Sequence, residues 1–545
     1  MDQQAHGSTH AVRQPGALTR RRFLQMVGAT AGSAAVLNVL TAWGQVPIEG
    51  QSAPPKMDGN GNGTKVIVIG AGPGGSVAAY ELMQLGYDVT VIEARDRVGG
   101  HVFTVKNGAK TEEYGKGEQV CDWPEGMWWD AGPSRIPHYH RGFFHYAREF
   151  NVPLIDHNNI NLNGWVYNQD IEGGLNEKRI RLGTMQADMA GYTSQYLAQA
   201  IDQGKLDEEL TPEDAEYIKS YLINWGLLSS SDLSYEKSDH RGFTHFPDVF
   251  SAGEIADPYA MTDLAPFAAA ALRSSGGYIA ATSTYDWQQT MVKPKGGIGE
   301  LYDVGFRNAL GDRVKLNCEV TEIRQSEDGV RIVYLNKETG ETEEVTGDYA
   351  MCNMPLSVLI KIKTDFSKEF TEATRSVPYA MAHRLAGGFK RRFWEEDDWI
   401  YGGQSFSNNP QVGVIDYPDD DYNTPDGGAM MMAYNFGNMA GEISRLSFED
   451  RIELALTNAS QVHPQIRDDF ISGFSVAWHL EPYSLGAWPS YNAQTRATVM
   501  PRLQQPDGRV YLVGEHLSNV NAWIEGATQA AWMQVEQLHR RVMQG

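Results

Sequence analysis

Cysteine is scarce: Cys121, Cys318 and Cys352 are the three in 545 residues, and none stands in a CxxC pair. That excludes a disulfide scaffold and leaves no ligand spacing for zinc or thioredoxin chemistry. Basic residues are also few, 46 against 69 acidic, for a formal charge of −23. A surface of that sign repels phosphate backbones and argues against a nucleic-acid partner. Strongly apolar runs are missing too. The uncharged stretch Met26–Trp43 is rich in Ala, Gly and Ser, whereas a spanning helix needs about 20 strongly apolar residues. What is present is an ordinary globular mixture, 41% hydrophobic and 21% charged, with material for several cores. At roughly 150 residues per domain the length implies three or four domains.

Ahead of that uncharged stretch stands Thr19-Arg20-Arg21-Arg22-Phe23-Leu24. A basic start, a mildly apolar region and small residues resemble a twin-arginine export signal over 1–43; the other reading is a basic amphipathic tail. Residues 44–63, with Pro47, Pro54, Pro55, Gly59, Gly61 and Gly63, read as a flexible linker in which the mature protein is expected to begin. The export route carries folded proteins, which suits an enzyme loaded with its cofactor beforehand. The expected location is periplasmic or secreted.

Lys65–Gly70 is an apolar, β-branched run typical of a strand buried on both faces. It leads into Gly70-Ala-Gly72-Pro-Gly74-Gly75, a GxGxxG pattern, then a helical stretch from Ser76 to Leu85 and a second strand, Asp88–Ile92, ending in Glu93. Gly70 permits the tight turn, Gly72 the close approach of a pyrophosphate, and Gly75 the packing of helix on strand, while the helix N-terminus attracts phosphate. Glu93 is placed to accept hydrogen bonds from a ribose. Framed in this way the motif specifies a dinucleotide site.

The continuation Glu93-Ala94-Arg95-Asp-Arg97-Val-Gly99-Gly100 resembles the extended motif of glutathione-reductase-type FAD proteins, and within them the amine oxidase branch. Further blocks carry the resemblance across roughly 64–545: "DAGPSRIP" (130–137), "GGIGEL" (296–301), "FKRRFWEEDD" (389–398), "MMMAYNFG" (430–437), "PYSLGAWPSY" (482–491) and "VYLVGEHLSNVNAWIEGATQAAW" (510–532). The chain is similar to flavin monoamine oxidases, and among them to L-amino acid oxidases. The resemblance implies an α/β fold: a Rossmann-like FAD domain (64–108, 290–365, 500–545), a mixed-sheet substrate domain (109–170, 380–500) and a helical insertion (171–289).

It also implies cofactor contacts at Gly70, Gly72, Gly74, Gly75, Glu93, Ala94, Arg95, Gly99, Gly100 and His101, at Gly132, Pro133, Ser134 and Arg135, at Val320, at Gly514 and Glu515, and at Trp523, Ile524, Glu525 and Ala527. The N-terminus of the last helix would stabilise negative charge on the flavin ring. Two departures stand out. His101 occupies a position where the family usually has arginine, and Ala487 one where monoamine oxidases carry the flavin-anchoring cysteine, so the FAD is expected to be non-covalent.

For the substrate, the resemblance assigns a carboxylate clamp to Arg135 and Tyr434, since a guanidinium fork fixes orientation where an ammonium gives a point charge. Trp488 and Trp523, with Ala522 beside them, would wall the amine. Aromatic walls lower an amine's pKa toward the neutral form that hydride transfer needs. The family lysine near the flavin is replaced by Arg384, unless Lys390 reaches the ring. Arg384 and Trp523 are the expected catalytic positions. His138, His140 and His145 could be read as metal ligands, but no acid or cysteine set accompanies them, and no metal is expected. The expected reaction is oxidative deamination of L-amino acids, favouring large apolar or aromatic side chains, to 2-oxo acid, ammonia and hydrogen peroxide, with dioxygen as acceptor. An amide-forming amino acid monooxygenase and a monoamine or polyamine oxidase are the alternatives. Family members are often dimers, and a homodimer or higher homo-oligomer is allowed, though the sequence shows no interface.

Overall fold

The structure, a computed structural model, describes residues 52–274 and 287–544. The proposed signal (1–43) and the linker up to residue 51 lie outside the described residues.

Two sheets organise the chain. In chain order their strands are β1 (Lys65–Ile69), β2 (Asp88–Ile92), β3 (Trp165–Asn168), β4 (Lys178–Arg181), β5 (Val314–Lys315), β6 (Tyr349–Cys352), β7 (Ala382–Phe389), β8 (Gln404–Ser407), β9 (Val414–Asp416), β10 (Gly428–Phe436), β11 (Phe470–Ala477) and β12 (Val510–Leu512). The first sheet is parallel throughout, in the order β5-β2-β1-β6-β12. Its central strand shows why the sequence reads as continuous apolar. Val66 and Val68 face one core with α1 (Pro73–Gln84) and α6 (Ile524–Met543), while Ile67 and Ile69 face a second core containing Val320, Ile323 and Ile332. Successive side chains point to opposite faces, and here both faces are covered. Each such side chain contributes about 1.5–3 kcal/mol by its burial.

The second sheet is mixed, in the order β11-β7-β10-β9-β8-β3-β4, with β8 and β3 the parallel pair. A bulge interrupts the pairing of β7 with β10: Leu385 faces Ala433, but its neighbour Ala386 faces Met431, so Met432 is an extra residue. Its effect is to change parity. Ala429 and Met431 pack on one face of β10, as do Tyr434 and Phe436, while Met430, Met432 and Ala433 pack on the other. Without the bulge, period-two alternation from Met431 would have sent Tyr434 and Phe436 into the opposite core.

In the chain α2 (Arg141–Glu149) lies between β2 and β3, and α3 (Leu182–Asp202), α4 (Pro212–Gly226), which packs on it, and α5 (Met261–Ser274) lie between β4 and β5. Helix α4 starts at Thr211, whose side chain accepts from the Asp214 backbone N–H, with Pro212 in the first turn. The two stretches whose sequence reads as helical, near 192–204 and 212–228, fall on α3 and α4. No helix among the described residues is long and apolar enough to cross a membrane.

Candidate functional site

A cavity of about 770 Å³ runs between the two sheets, from Glu93, Ala94, Arg95 and Val320 at one end to Arg135, Arg384, Tyr434, Trp488 and Trp523 at the other. The first end is built by backbone approach. Gly70, at φ +91°, turns the chain out of β1. A Cβ on Gly72 would stand 2.7 Å from the Asn353 side-chain amide, and one on Gly100 2.9 Å from the Gly72 α-carbon. Helix α1 therefore begins at a bare glycine N-cap pointing toward the cavity, the arrangement that receives a phosphate.

Glu93 is buried and accepts backbone N–H groups from Ala71 (2.7 Å) and Arg95 (2.9 Å). Arg95 reaches Glu481 at 2.5 Å and Ser484 at 3.1 Å. His101 stacks on Trp478 with ring centroids 3.7 Å apart. Burial, reinforced by Arg95, Arg97 and Arg384, pushes its imidazole down to about 3, so it is neutral at pH 7. It therefore lines the cavity without a positive charge.

The other end hangs on the turn Ala131–Arg135. Asp130 anchors it, accepting from the Thr104 hydroxyl (2.5 Å) and the Ile298 N–H (3.0 Å), while the Ile136 N–H donates to Val292 (2.8 Å). Gly132 admits no side chain, because a Cβ there would collide with the His101 carbonyl oxygen. Gly132, Pro133, Ser134 and Arg135 all face the cavity. The Arg135 guanidinium lies over the Trp287 ring, 4.3 Å from its centroid.

Arg384 stands opposite Tyr434 in the β7–β10 register, with its guanidinium 4.8 Å from that ring and 5.3 Å from Trp129. It donates to the Gly132 carbonyl, approaches the Met431 sulfur at 3.2 Å, and lies 3.5 Å from the Ser134 hydroxyl. Lys390, the alternative to Arg384, is exposed at the far end of β7 and does not line the cavity, whereas Arg384 does. A buried lysine that sequence reasoning missed, Lys293, pairs with Asp419 at 3.1 Å outside the cavity lining.

Aromatic rings make the walls. Tyr434 and Phe436 lie 4.3 Å apart, and Phe436 and Trp488 5.8 Å. Trp523 is the N-cap of α6, preceded by Ala522 at φ +63°. Ala522, Trp523, Ile524 and Ala527 line the cavity; Glu525 does not. Its carboxylate turns away to accept the N–H groups of Gly142 (3.0 Å) and Phe143 (3.1 Å), which caps α2. Of the expected cofactor positions, Glu525, Gly74, Gly75 and Gly99 do not line the cavity: the Glu525 side chain is taken up by α2, and the three glycines shape the turn.

Gly514 and Glu515 do line it, and Glu515 accepts the Ala522 N–H at 2.6 Å. Burial pushes the Glu515 carboxyl up to about 8, so near Trp523 this acid is neutral at pH 7. Phe436 and Trp287 are cavity residues not singled out from sequence. Phe436 follows Tyr434 by two on a strand and was within reach of period-two reasoning; Trp287 carried no such signal.

The three histidines diverge. His138 meets Gln288 at 3.1 Å, His140 lies edge-on to Trp523 at 5.0 Å, and His145 packs on Tyr146 at 4.9 Å. Among the described residues no three His, Cys, Asp or Glu side chains are grouped to hold a metal.

A sequence profile described as flavin containing amine oxidoreductase matches residues 74–539. The chain is 25% identical over 492 residues to an L-amino-acid oxidase of Bothrops atrox, covering 88% of this chain and 89% of that one. It is 26% identical over 479 residues to a putative L-amino-acid oxidase, YobN, of Bacillus subtilis (strain 168), covering 85% and 92%. In fold it is similar to a putrescine oxidase solved with putrescine (TM-score 0.55, 17% identity, 88% and 99% covered). It is also similar to the cyclohexylamine oxidase of Brevibacterium oxydans (TM-score 0.54, 16% identity, 88% and 99% covered).

Proposed function

The chain belongs to the flavin containing amine oxidoreductases, and from that premise we propose that it oxidises L-amino acids to 2-oxo acid, ammonia and hydrogen peroxide. Its cofactor is FAD: the family brings a flavin, and the glycine cradle at Gly72 and Gly100, with Glu93 beyond it, fits a dinucleotide. Bound there, FAD would supply a two-electron acceptor for the amine carbon and a route for those electrons to dioxygen. Ala487 and the absence of a cysteine near Trp488 support non-covalent binding.

One observation carries the amino acid reading. At the Trp523 end the cavity presents two guanidinium groups, Arg135 and Arg384, together with the Tyr434 phenol. The acids lining the cavity among the described residues are Glu93, Glu319 and Glu515, and only Glu515 is near that end, held neutral by burial. Such a surface favours a carboxylate and disfavours a diamine. Arg135 and Tyr434 grip the carboxylate. Trp488 and Trp523 exclude water from the amine and hold it unprotonated. Arg384, braced by Gly132 and Met431, keeps positive potential beside the reacting carbon. Four aromatic rings, Trp287, Phe436, Trp488 and Trp523, support a preference for large apolar side chains. No side chain is required as a nucleophile; orientation does the work of this chain.

The test is anaerobic mixing of the holoenzyme with L-phenylalanine, D-phenylalanine and phenethylamine, following flavin absorbance. Bleaching by the L-acid alone supports the reading. Bleaching by phenethylamine alone overturns the clamp and points to an amine oxidase. Analysis of the aerobic product separates 2-oxo acid from amide. We also propose export in folded form through Thr19–Trp43, tested by replacing Arg20, Arg21 and Arg22 with lysine and locating the protein.

A further inference from the structure

We propose that Asn353 is the positioning residue of the dinucleotide loop: it caps α1 from outside the helix and holds the Gly72 and Gly75 N–H groups in place for a phosphate. The proposal rests on the reading above that FAD fills the cavity. A helix that starts on glycine lacks the usual cap. An N-cap side chain normally accepts from the N–H of the second or third helical residue, and in a capping box the third side chain reaches back to the N-cap N–H. Here the N-cap is Gly72 and the third residue is Gly75, so neither has a side chain to give. Asn353 supplies both halves. With its amide oriented by the groups around it, its oxygen accepts from the Gly75 and Gly72 N–H groups at 3.3 Å each, and its nitrogen donates to the Val513 carbonyl at 3.1 Å.

The residue is firmly placed. It follows directly on β6, the strand between β1 and β12. Its own N–H donates to the Ile69 carbonyl at 2.8 Å, and the Cys352 carbonyl before it accepts from the Val513 N–H at 2.8 Å. Asn353 lines the cavity together with Gly72, Gly100 and Gly514. Glycine at two positions of the loop is what admits it: a Cβ on Gly74 would stand 2.8 Å from the Asn353 side-chain amide, as crowded as the one on Gly72. Both bonds to the loop are long beside the usual N–H···O distance of about 2.9–3.0 Å. They orient the donors without saturating them, and N–H groups at helix ends commonly serve two acceptors, so a phosphate oxygen can share them. Through Val513 the same side chain ties the loop to the segment that carries Glu515.

The experiment uses the full chain, freed of flavin and reloaded, and two variants. Asn353→Ala removes the amide; Asn353→Asp keeps its shape and an acceptor but adds a charge. Two quantities are read. One is hydrogen exchange of the Gly72 and Gly75 amides in the cofactor-free protein, with the Ala71 N–H, held by Glu93, as internal reference. The other is the Kd for FAD. In Asn353→Ala the two glycine amides are expected to exchange about tenfold faster while Ala71 stays as it was, and FAD to bind roughly tenfold more weakly. In Asn353→Asp the two amides are expected to stay protected, yet FAD should bind at least as weakly as in Asn353→Ala, because a carboxylate then meets the phosphates. Unchanged exchange at Gly72 and Gly75 in Asn353→Ala would overturn the cap. Faster exchange with an FAD affinity within about threefold of the unmodified protein would leave a cap without a positioning role and overturn the proposal. Tighter FAD binding would make Asn353 a competitor of the phosphate and overturn it as well. Should Asn353→Ala fail to fold, Asn353→Asp decides, since FAD binding equal to that of the unmodified protein would overturn the proposal. If the unmodified chain takes up no FAD, the cofactor reading fails and takes the positioning role with it, whereas the exchange result stands on its own.

Discussion

Glu525 and Gly142 are 383 residues apart in the chain and are joined by a 3.0 Å hydrogen bond from the Gly142 N–H to the Glu525 carboxylate. The acid at the start of one helix thereby caps another. Replacing Glu525 with alanine orphans two buried N–H groups and is expected to lower the unfolding free energy by about 2–3 kcal/mol. The visible spectrum of the surviving holoenzyme should stay unchanged. Denaturant titration and a flavin spectrum check both halves; a shifted spectrum would return Glu525 to the cofactor.

Glu515 makes the protein without cofactor pH-sensitive. Its folded carboxyl holds a proton up to about pH 8, whereas the ordinary value is 4.5. Between those limits the folded form binds the extra proton, so this group's stabilising effect is full below about pH 4.5 and is lost as pH rises through about 8. The melting temperature of the cofactor-free protein, taken relative to Glu515→Gln, should fall across that window. A flat difference would contradict the assignment.

Two glycines of the same turn should fail differently. Gly75→Ala drives a methyl into the Gly70 carbonyl oxygen, backbone against backbone, and is expected to prevent stable folding. Gly72→Ala meets the Asn353 side-chain amide instead. It should fold while losing flavin affinity by about tenfold or more, as read by flavin retention on gel filtration.

Arg135→Lys keeps a charge and loses the fork. The expected loss is about 10²-fold in kcat/KM for L-phenylalanine, carried mainly by KM, with little change toward L-phenylalaninamide. Steady-state oxygen uptake measures it.

Acid precipitation should leave all of the flavin in solution, because alanine, not cysteine, stands at position 487. Yellow protein in the pellet would mean a covalent link elsewhere.

The parts readable from sequence were those whose cause is local. The turn from β1 into α1 is dictated by glycines within six residues of each other, and the run Lys65–Ile69 is apolar because both its faces are covered. Tyr434 could be picked out by its block and Arg384 by its distance from the block at 389–398, but their meeting could not. It depends on one extra residue at Met432 in a strand whose sequence alternates no more clearly with the bulge than without it. The partner of the Glu525 side chain was within reach of helical geometry. At 3.6 residues per turn it projects about 100° away from Ile524, and its carboxylate meets the Gly142 and Phe143 N–H groups of α2. Trp287 gave no signal, and the place of His140, weighed as a metal ligand, could not be read either, because both reach Trp523 through tertiary packing.

The parallel sheet is completed out of chain order, and this sets a clock. β1 and β2 are translated early, yet β12, Glu515 and Trp523 come more than four hundred residues later. At roughly 5–20 residues per second, a growing chain carries its phosphate loop for tens of seconds before the wall opposite exists. Flavin uptake therefore follows synthesis of the last strand, and a ribosome that stalls before Val510 releases a chain that has the loop and cannot become yellow.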